Sequence, residues 1–304
     1  MVFKVILAIL GVAIVFELAL AIYFFRLTIL RKDKPMVSKD EMGDGDKWVG
    51  YKGIMDEARE WLDAKGYEDV EIQSKDGLKL HGYYISSDKP SNKLVICVHG
   101  YTSKGMNECP SFAKAYADMG YSALIVDDRA HGKSEGKYVG FGILDRYDLL
   151  EWVRYAVKRF GNDVQIVLHG DSMGASTILM TTGLAELPNN VKVAVADCAF
   201  TSPEEVFSHV LKRDYHIPKF PLMNITSIMS KRIAGYGYND YSTLDAMKVT
   251  KTPTLFVAGK KDTFVPTYMT QENYDQCIAP KKIFWVDEAG HAAAFFEDNK
   301  LFFG

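Results

Sequence analysis

The sequence predicts an α/β protein: a mostly parallel sheet with helices on both faces, an antiparallel N-terminal edge and a small helical insertion. Two observations predict it. From about residue 67, short apolar runs alternate with longer stretches of helical periodicity. Several of the short runs, such as Leu94-Val95-Ile96-Cys97-Val98, are apolar throughout, as expected of strands buried on both faces.

The elements follow in order. Residues 35–66 form a polar lead-in with a helix predicted around 54–65. Residues 70–73 and 78–85 read as two strands turned at Lys75-Asp76-Gly77, the antiparallel edge. Strands at 94–98 and 121–126 bracket a helix at 112–119 that Gly120 ends. A long amphipathic helix at 143–160 stops at Gly161 and leads to a strand at 164–168, a helix reaching about Leu184, and a strand at 191–196. The last strands lie at 254–257 and 283–286, with a helix near 268–278 between them. Residues 201–248 break this rhythm; they hold Pro218, Pro221, several aromatics, Met223 and Met229. An insertion of that length in an α/β domain is usually functional, so it is expected to form a cap over the carboxyl edge of the sheet; a covering layer with no substrate role is the alternative.

The 304 residues are 48% apolar and 25% charged, which excludes disordered, collagen-like and disulfide-scaffold chains. A net charge of −3 carries no basic excess of the kind that marks a nucleic-acid binder. The charge is uneven, however. Residues 1–34 hold five basic groups and two acids, leaving 31 basic against 37 acidic groups in the remainder.

Residues 5–25 are apolar except for Glu17, and as a helix they would span roughly 32 Å, the thickness of a bilayer core. Tyr23, Phe24, Phe25 and Arg26 suit an interfacial anchor. An uncleaved transmembrane anchor in the cell membrane, contacting lipid through residues 5–25, is favoured over two rivals. A signal peptide cut at Ala19-Leu20-Ala21 would leave an aromatic new terminus, and a helix buried in a soluble fold is the other alternative. Arg26, Arg31, Lys32 and Lys34 on the C-terminal flank against Lys4 on the other favour a cytoplasmic catalytic body. The expected organisation is therefore an anchor with basic flank at 1–34, a lead-in at 35–66, and a single domain at 67–304 carrying the insertion.

The chemistry centres on Gly170-Asp171-Ser172-Met173-Gly174, between a predicted strand and a helix. This is the G-x-S-x-G elbow, whose sharp turn holds a serine hydroxyl out at the sheet edge. A serine hydroxyl needs a base. His291, late in the chain and just past a strand, fits the order Ser…Asp/Glu…His of this architecture. His81, His209 and His216 read as surface or structural residues. Asp262, after the strand at 254–257, is the favoured orienting acid, and Asp197, at the end of the strand at 191–196, is its rival. Backbone N–H groups of Met173 and Tyr101 are the expected oxyanion hole. Asp171 is expected to hydrogen-bond locally. The four cysteines (Cys97, Cys109, Cys198, Cys277) show no CxxC or Cys/His spacing, so no metal or cofactor is expected.

Four features in this order resemble the α/β-hydrolase superfamily: His99-Gly100 after a strand, Asp128-Arg129-Ala130-His131-Gly132-Lys133-Ser134, the Gly170–Gly174 elbow, and the Asp262/His291 pair. The likeness runs from about Asp69 to the C-terminus. The string from Arg129 to Gly136, followed by Gly140-Phe141-Gly142, is similar to bacterial membrane-anchored members, the serine esterase and serine aminopeptidase-like branch. Ala130 stands where many relatives have glycine. The chain ends thirteen residues after His291, where the fold often has a longer last helix. The resemblance implies hydrolysis through an acyl-enzyme and leaves three readings open: a carboxylesterase, a terminal peptidase or amidase on the same residues, and a non-catalytic ligand-binding relative. Serine at 172 argues against dehalogenase or epoxide-hydrolase chemistry, whose members carry aspartate there. The aromatic, methionine-containing insertion points to a small-molecule ester with an apolar portion.

Overall fold

The computed structural model describes residues 1–32 and 45–297. Part of the expected lead-in (33–44) and the segment after Glu297 lie outside the described residues.

In chain order the elements are α1 (Val2–Thr28), α2 (Gly45–Lys65), β1 (Glu68–Gln73), β2 (Lys79–Ile85), β3 (Lys93–Val98), α3 (Gly105–Glu108), α4 (Pro110–Asp118), β4 (Ser122–Val126), α5 (Asp145–Phe160), β5 (Gln165–Asp171) and α6 (Met173–Thr182). They continue with β6 (Val191–Asp197), α7 (Pro203–Tyr215), α8 (Leu222–Ile233), α9 (Thr243–Met247), β7 (Thr254–Gly259), α10 (Thr267–Gln276), β8 (Lys281–Val286) and α11 (Ala294–Glu297). Each predicted strand has a counterpart, displaced by a few residues at its ends.

The strands form one eight-stranded sheet in the order β1-β2-β4-β3-β5-β6-β7-β8. The β1–β2 and β2–β4 pairs are antiparallel, and every other pair is parallel. Side chains of a strand alternate between faces, so β3 divides its apolar run between two cores. Val95 and Cys97 pack with Leu62 of α2, Phe112 of α4 and Phe295 of α11. Leu94, Ile96 and Val98 pack on the other face with Leu149, Trp152 and Val153 of α5. This two-sided burial is what makes the central runs continuously apolar. Because β3 and β5 to β8 run parallel, their carboxyl ends share one edge, and the loops after them converge there.

The stretch 201–248 contains three helices rather than strands. Ser202 caps α7, its hydroxyl accepting the Glu205 N–H at 3.2 Å, with Pro203 at the first helical position. Ser242 and Asp245 form a capping box on α9. The helices α7 and α8 lie over the sheet's carboxyl edge, whereas α9 packs with α6 in a core of Ala175, Leu179, Ala246 and Met247.

The N-terminal helix α1 is long and apolar enough to cross a membrane. Residues 2–16 are exposed all round, but Ala21, Phe24, Phe25 and Ile29 are buried. They join a core with Phe141, Met173, Leu211, Met223 and Tyr238, so the helix's last turns are part of the packed body. Glu17 lies one turn before Ala21, on the face that turns toward the body. Beyond the helix, Arg31 donates to the carbonyls of Gly132 (2.7 Å) and Ser134 (2.6 Å), and Leu30 bridges Tyr138.

Candidate active site

The elbow is strained as the sequence demands. Ser172 sits between β5 and α6 at φ 52° and ψ −116°, a left-handed region that a non-glycine residue enters only when its surroundings enforce it. Glycine at 174 is needed for close passage: a Cβ there would lie 2.2 Å from the Val98 carbonyl oxygen. At the far end of the sheet, a Cβ on Gly259 would lie 2.1 Å from the Ala289 carbonyl oxygen, so β7 passes directly against the loop that carries His291.

Three of the sequence-selected residues meet at this edge, each from the loop after a different strand. His291 Nε2 lies 2.9 Å from Ser172 Oγ, and His291 Nδ1 lies 2.8 Å from Asp262 Oδ2. A carboxylate can only accept, so Nδ1 carries the hydrogen and Nε2 is free to accept from the serine hydroxyl. Asp262 is itself held. Its Oδ1 accepts the N–H groups of Phe264 (2.9 Å) and Val265 (2.8 Å), which leaves Oδ2 aimed at the imidazole. Ser172, Asp262 and His291 are all buried. Burial disfavours the imidazolium of His291, but the charge and hydrogen bond of Asp262 outweigh it, and the pKa is raised above the usual 6.5.

Asp197, the rival acid, ends β6 in the same region but makes no hydrogen bond to His291; both its carboxylate oxygens are buried without such a partner. Burial pushes its carboxyl up to about 7, against a lowering by His291. The Cys198 thiol lies with Asp262 and His291 in a group whose donor atoms fall within 4.8 Å. Burial, reinforced by Asp197, pushes that thiol well up, so it is a neutral S–H rather than a metal-ready thiolate. The atoms of Asp262 and His291 that face each other are engaged in their own hydrogen bond.

The two expected oxyanion donors flank the serine. Met173 is the first residue of α6, and the first N–H groups of a helix have no partner within it. Tyr101 lies in the loop after β3, three residues past Val98. The loop is braced from beneath: the Gly100 N–H donates to Glu108 Oε2 at 2.6 Å, and the Asp128 N–H donates to His99 Nε2 at 3.1 Å. Asp171 is buried, and desolvation together with the charges of Glu108 and Asp197 pushes its carboxyl well up. The basic motif after β4 is structural scaffolding. Arg129 forms a buried pair with Asp148 (2.6 and 2.7 Å) and reaches Asp76 (3.0 and 3.1 Å). His131 accepts the Thr102 N–H at 3.3 Å, and burial holds its pKa down at about 3.

Above Ser172 opens a cavity of about 610 Å³, within the range of small-molecule sites. Its walls are mainly apolar and come from α7 and α8 (Val206, Phe207, Leu211, Met223) and from Phe141. Sequence reading missed one wall, made by Phe24, Leu27 and Thr28 of α1. No hydropathy signal separates a lipid-facing residue from a protein-facing one in such a helix. The only pointer was the mixed aromatic and basic ending of the run.

A strained serine elbow at the carboxyl edge of a mostly parallel sheet, with histidine and aspartate from the loops after later strands, is the arrangement of the α/β-hydrolase fold, and the chain has that fold. Residues 89–234 match the family model described as serine aminopeptidase, S33. The chain is 29% identical over 231 residues to the uncharacterized protein YqkD of Bacillus subtilis (strain 168), covering 76% of this chain and 75% of that protein. It is 23% identical over 252 residues to the uncharacterized membrane protein YNL320W of Saccharomyces cerevisiae, covering 78% of each. Among solved structures it is similar to the Pyrococcus furiosus esterase Pf2001, with a TM-score of 0.61 and 27% identity over 79% of this chain and 87% of that one.

Proposed function

We propose that this protein is a membrane-anchored serine hydrolase that cleaves carboxylic esters with an apolar portion through an acyl-enzyme. The observation that carries the reading is the continuous hydrogen-bond line from Asp262 through His291 to Ser172 at the floor of an apolar cavity.

The reaction runs in two halves. Ser172 Oγ attacks the ester carbonyl carbon while His291 Nε2 takes the hydroxyl proton, and Asp262 stabilises the resulting imidazolium. The N–H groups of Met173 and Tyr101 hold the tetrahedral oxyanion. The C–O bond to the leaving alcohol breaks, and His291 returns its proton to that alcohol. Water then attacks the acyl-enzyme with His291 again as base, releasing the acid and restoring Ser172.

A terminal aminopeptidase on the same residues would require a free acid in the cavity for the substrate's amine. The charged side chains along the described lining are Arg213 and Asp214, which are paired with each other at 2.8 Å. That engagement favours the ester. Residues 1–34 are proposed to anchor the chain, with the hydrolase body from residue 67 onward on the cytoplasmic side, following the basic flank.

A fluorophosphonate probe tests the chemistry. Full-length protein should be labelled, and Ser172→Ala should not. Labelling that persists in the alanine variant would remove Ser172 from the mechanism. Faster turnover of aminoacyl-nitroanilides than of p-nitrophenyl esters would replace the ester reading with the peptidase one.

A further inference from the structure

Resting on the serine-hydrolase reading, we propose that the natural substrate is a long-chain acyl ester dissolved in the bilayer, whose chain enters the cavity directly from the membrane along α1.

Four features of the structure converge on this. The part of α1 that precedes its first buried residue, Ala21, spans roughly 28 Å from residue 2 to residue 20, close to the thickness of a hydrocarbon core, and residues 2–16 of it are exposed on every side. Tyr23 and Arg26, exposed, then fall at the membrane–water interface, where such residues anchor helices. Phe24 and Leu27 lie within two turns of that boundary, and both line the cavity that holds Ser172. The helix that fixes the protein in the membrane is thus also a wall of the site.

The mouth is at the same level. The lining residues that remain exposed, Asp214 and Tyr215, stand where α7 ends, and the Tyr215 ring meets Phe24 edge-on at 4.9 Å. Beside this rim, the end of α7, the loop after it and α8 expose Phe220, Ile228 and Ile233 among Lys212, Lys219, Lys231 and Arg232. Apolar side chains interleaved with cations are the surface that lies on an anionic bilayer. An acyl chain moving from the bilayer past Phe24 and Leu27 keeps apolar side chains beside it, whereas a chain arriving from solution must first leave the membrane and expose each methylene to water.

The full-length protein reconstituted in phosphatidylcholine vesicles tests this. With a fixed amount of 4-methylumbelliferyl palmitate, tenfold dilution with vesicle lipid should lower the rate about tenfold, while 4-methylumbelliferyl acetate should be hydrolysed at an unchanged rate. Leu27→Trp, which narrows the wall, should lower the palmitate-to-acetate rate ratio at least tenfold. Because that variant can fail to fold, a second measurement uses Ser172→Ala with a palmitoyl ester carrying a diazirine on its chain. Crosslinks should fall in residues 24–28 and 206–215. A palmitate rate indifferent to dilution, an unchanged ratio in folded Leu27→Trp, or crosslinks confined to residues 2–20 overturns the proposal. If acetate turns over and palmitate does not, the hydrolase stands and the membrane substrate falls. If neither turns over and the fluorophosphonate does not label, the acyl-enzyme reading has failed and takes this one with it.

Discussion

The hydroxyl of Tyr101 donates a hydrogen bond of 2.8 Å to the carbonyl oxygen of Thr28. One residue therefore joins the last turn of the N-terminal helix to the loop whose backbone N–H is proposed to hold the oxyanion. The ring of Tyr101 also packs against Phe141 at 4.8 Å, on the cavity wall. Burial pushes the phenol's pKa well up, so it acts as a neutral donor throughout the working pH range.

Removing that donor should loosen the junction. In Tyr101→Phe the Thr28 carbonyl loses this side-chain partner, a change worth about 1 kcal/mol for a single hydrogen bond. Amide hydrogen exchange in residues 24–30 is expected to speed up several-fold, with exchange in β5 and β6 unaffected. An unchanged pattern in α1 would mean that the contact contributes nothing to its docking.

The raised pKa of His291 sets the pH profile. The base must be neutral to accept the serine proton, so kcat/KM should fall as pH drops through a value above 6.5. Asp262→Asn removes the charge that holds the pKa up. The acid limb should then move to lower pH, and kcat should drop by roughly 10³- to 10⁴-fold. The linked stability term has the opposite sense to the activity. A group with its folded pKa raised stabilises the fold fully below its unfolded value of 6.5, and this contribution fades as pH rises through the folded pKa. An acid limb at or below 6.5 in the wild type would contradict this assignment.

Close packing at the elbow predicts intolerance at Gly174. An added methyl meets the Val98 carbonyl oxygen at 2.2 Å, with the His99 carbonyl oxygen at 2.7 Å, and neither is a flexible side chain. Gly174→Ala should destabilise the detergent-solubilised protein by about 3 kcal/mol, as backbone must move to relieve the overlap. The urea midpoint measures it, and a shift under about 0.5 kcal/mol would show that the approach of α6 to the end of β3 is looser than described.

Deleting residues 1–34 should do two things at once. The protein should leave the membrane fraction, and it should lose stability, because Phe141, Leu211, Met223 and Tyr238 lose the covering contributed by Ala21, Phe24, Phe25 and Ile29. Membrane fractionation tests the first outcome and a thermal melt the second. Equal fractionation of the two forms would reject the anchor. A melt unchanged by the deletion would show that α1 is merely attached.

The backbone plan was legible because its signals are local. Continuous apolar runs mark the strands of a parallel sheet, and glycine marks the helix ends. Ser172 was legible for a related reason: the elbow needs glycines at fixed short spacing, so it leaves a string in the sequence. Asp262 and Asp197 were harder to separate, since each follows a parallel strand. Geometry separates them, because Oδ1 of Asp262 is held by two backbone N–H groups so that Oδ2 faces His291.

The sequence by itself determined the α/β layering, the strand order's antiparallel start, the serine elbow and an N-terminal helix of membrane-spanning length. Each depends on residue type at short range. Only the tertiary structure decided that Phe24, Leu27 and Thr28 of that helix wall the cavity above Ser172, that α7 and α8 cover it while α9 does not, and which carboxylate meets the imidazole. Those relationships link residues from 29 positions apart, for Asp262 and His291, to more than a hundred, for α1 and Ser172, and an apolar helix face reads the same whether it meets lipid or protein, so packing alone distinguishes them.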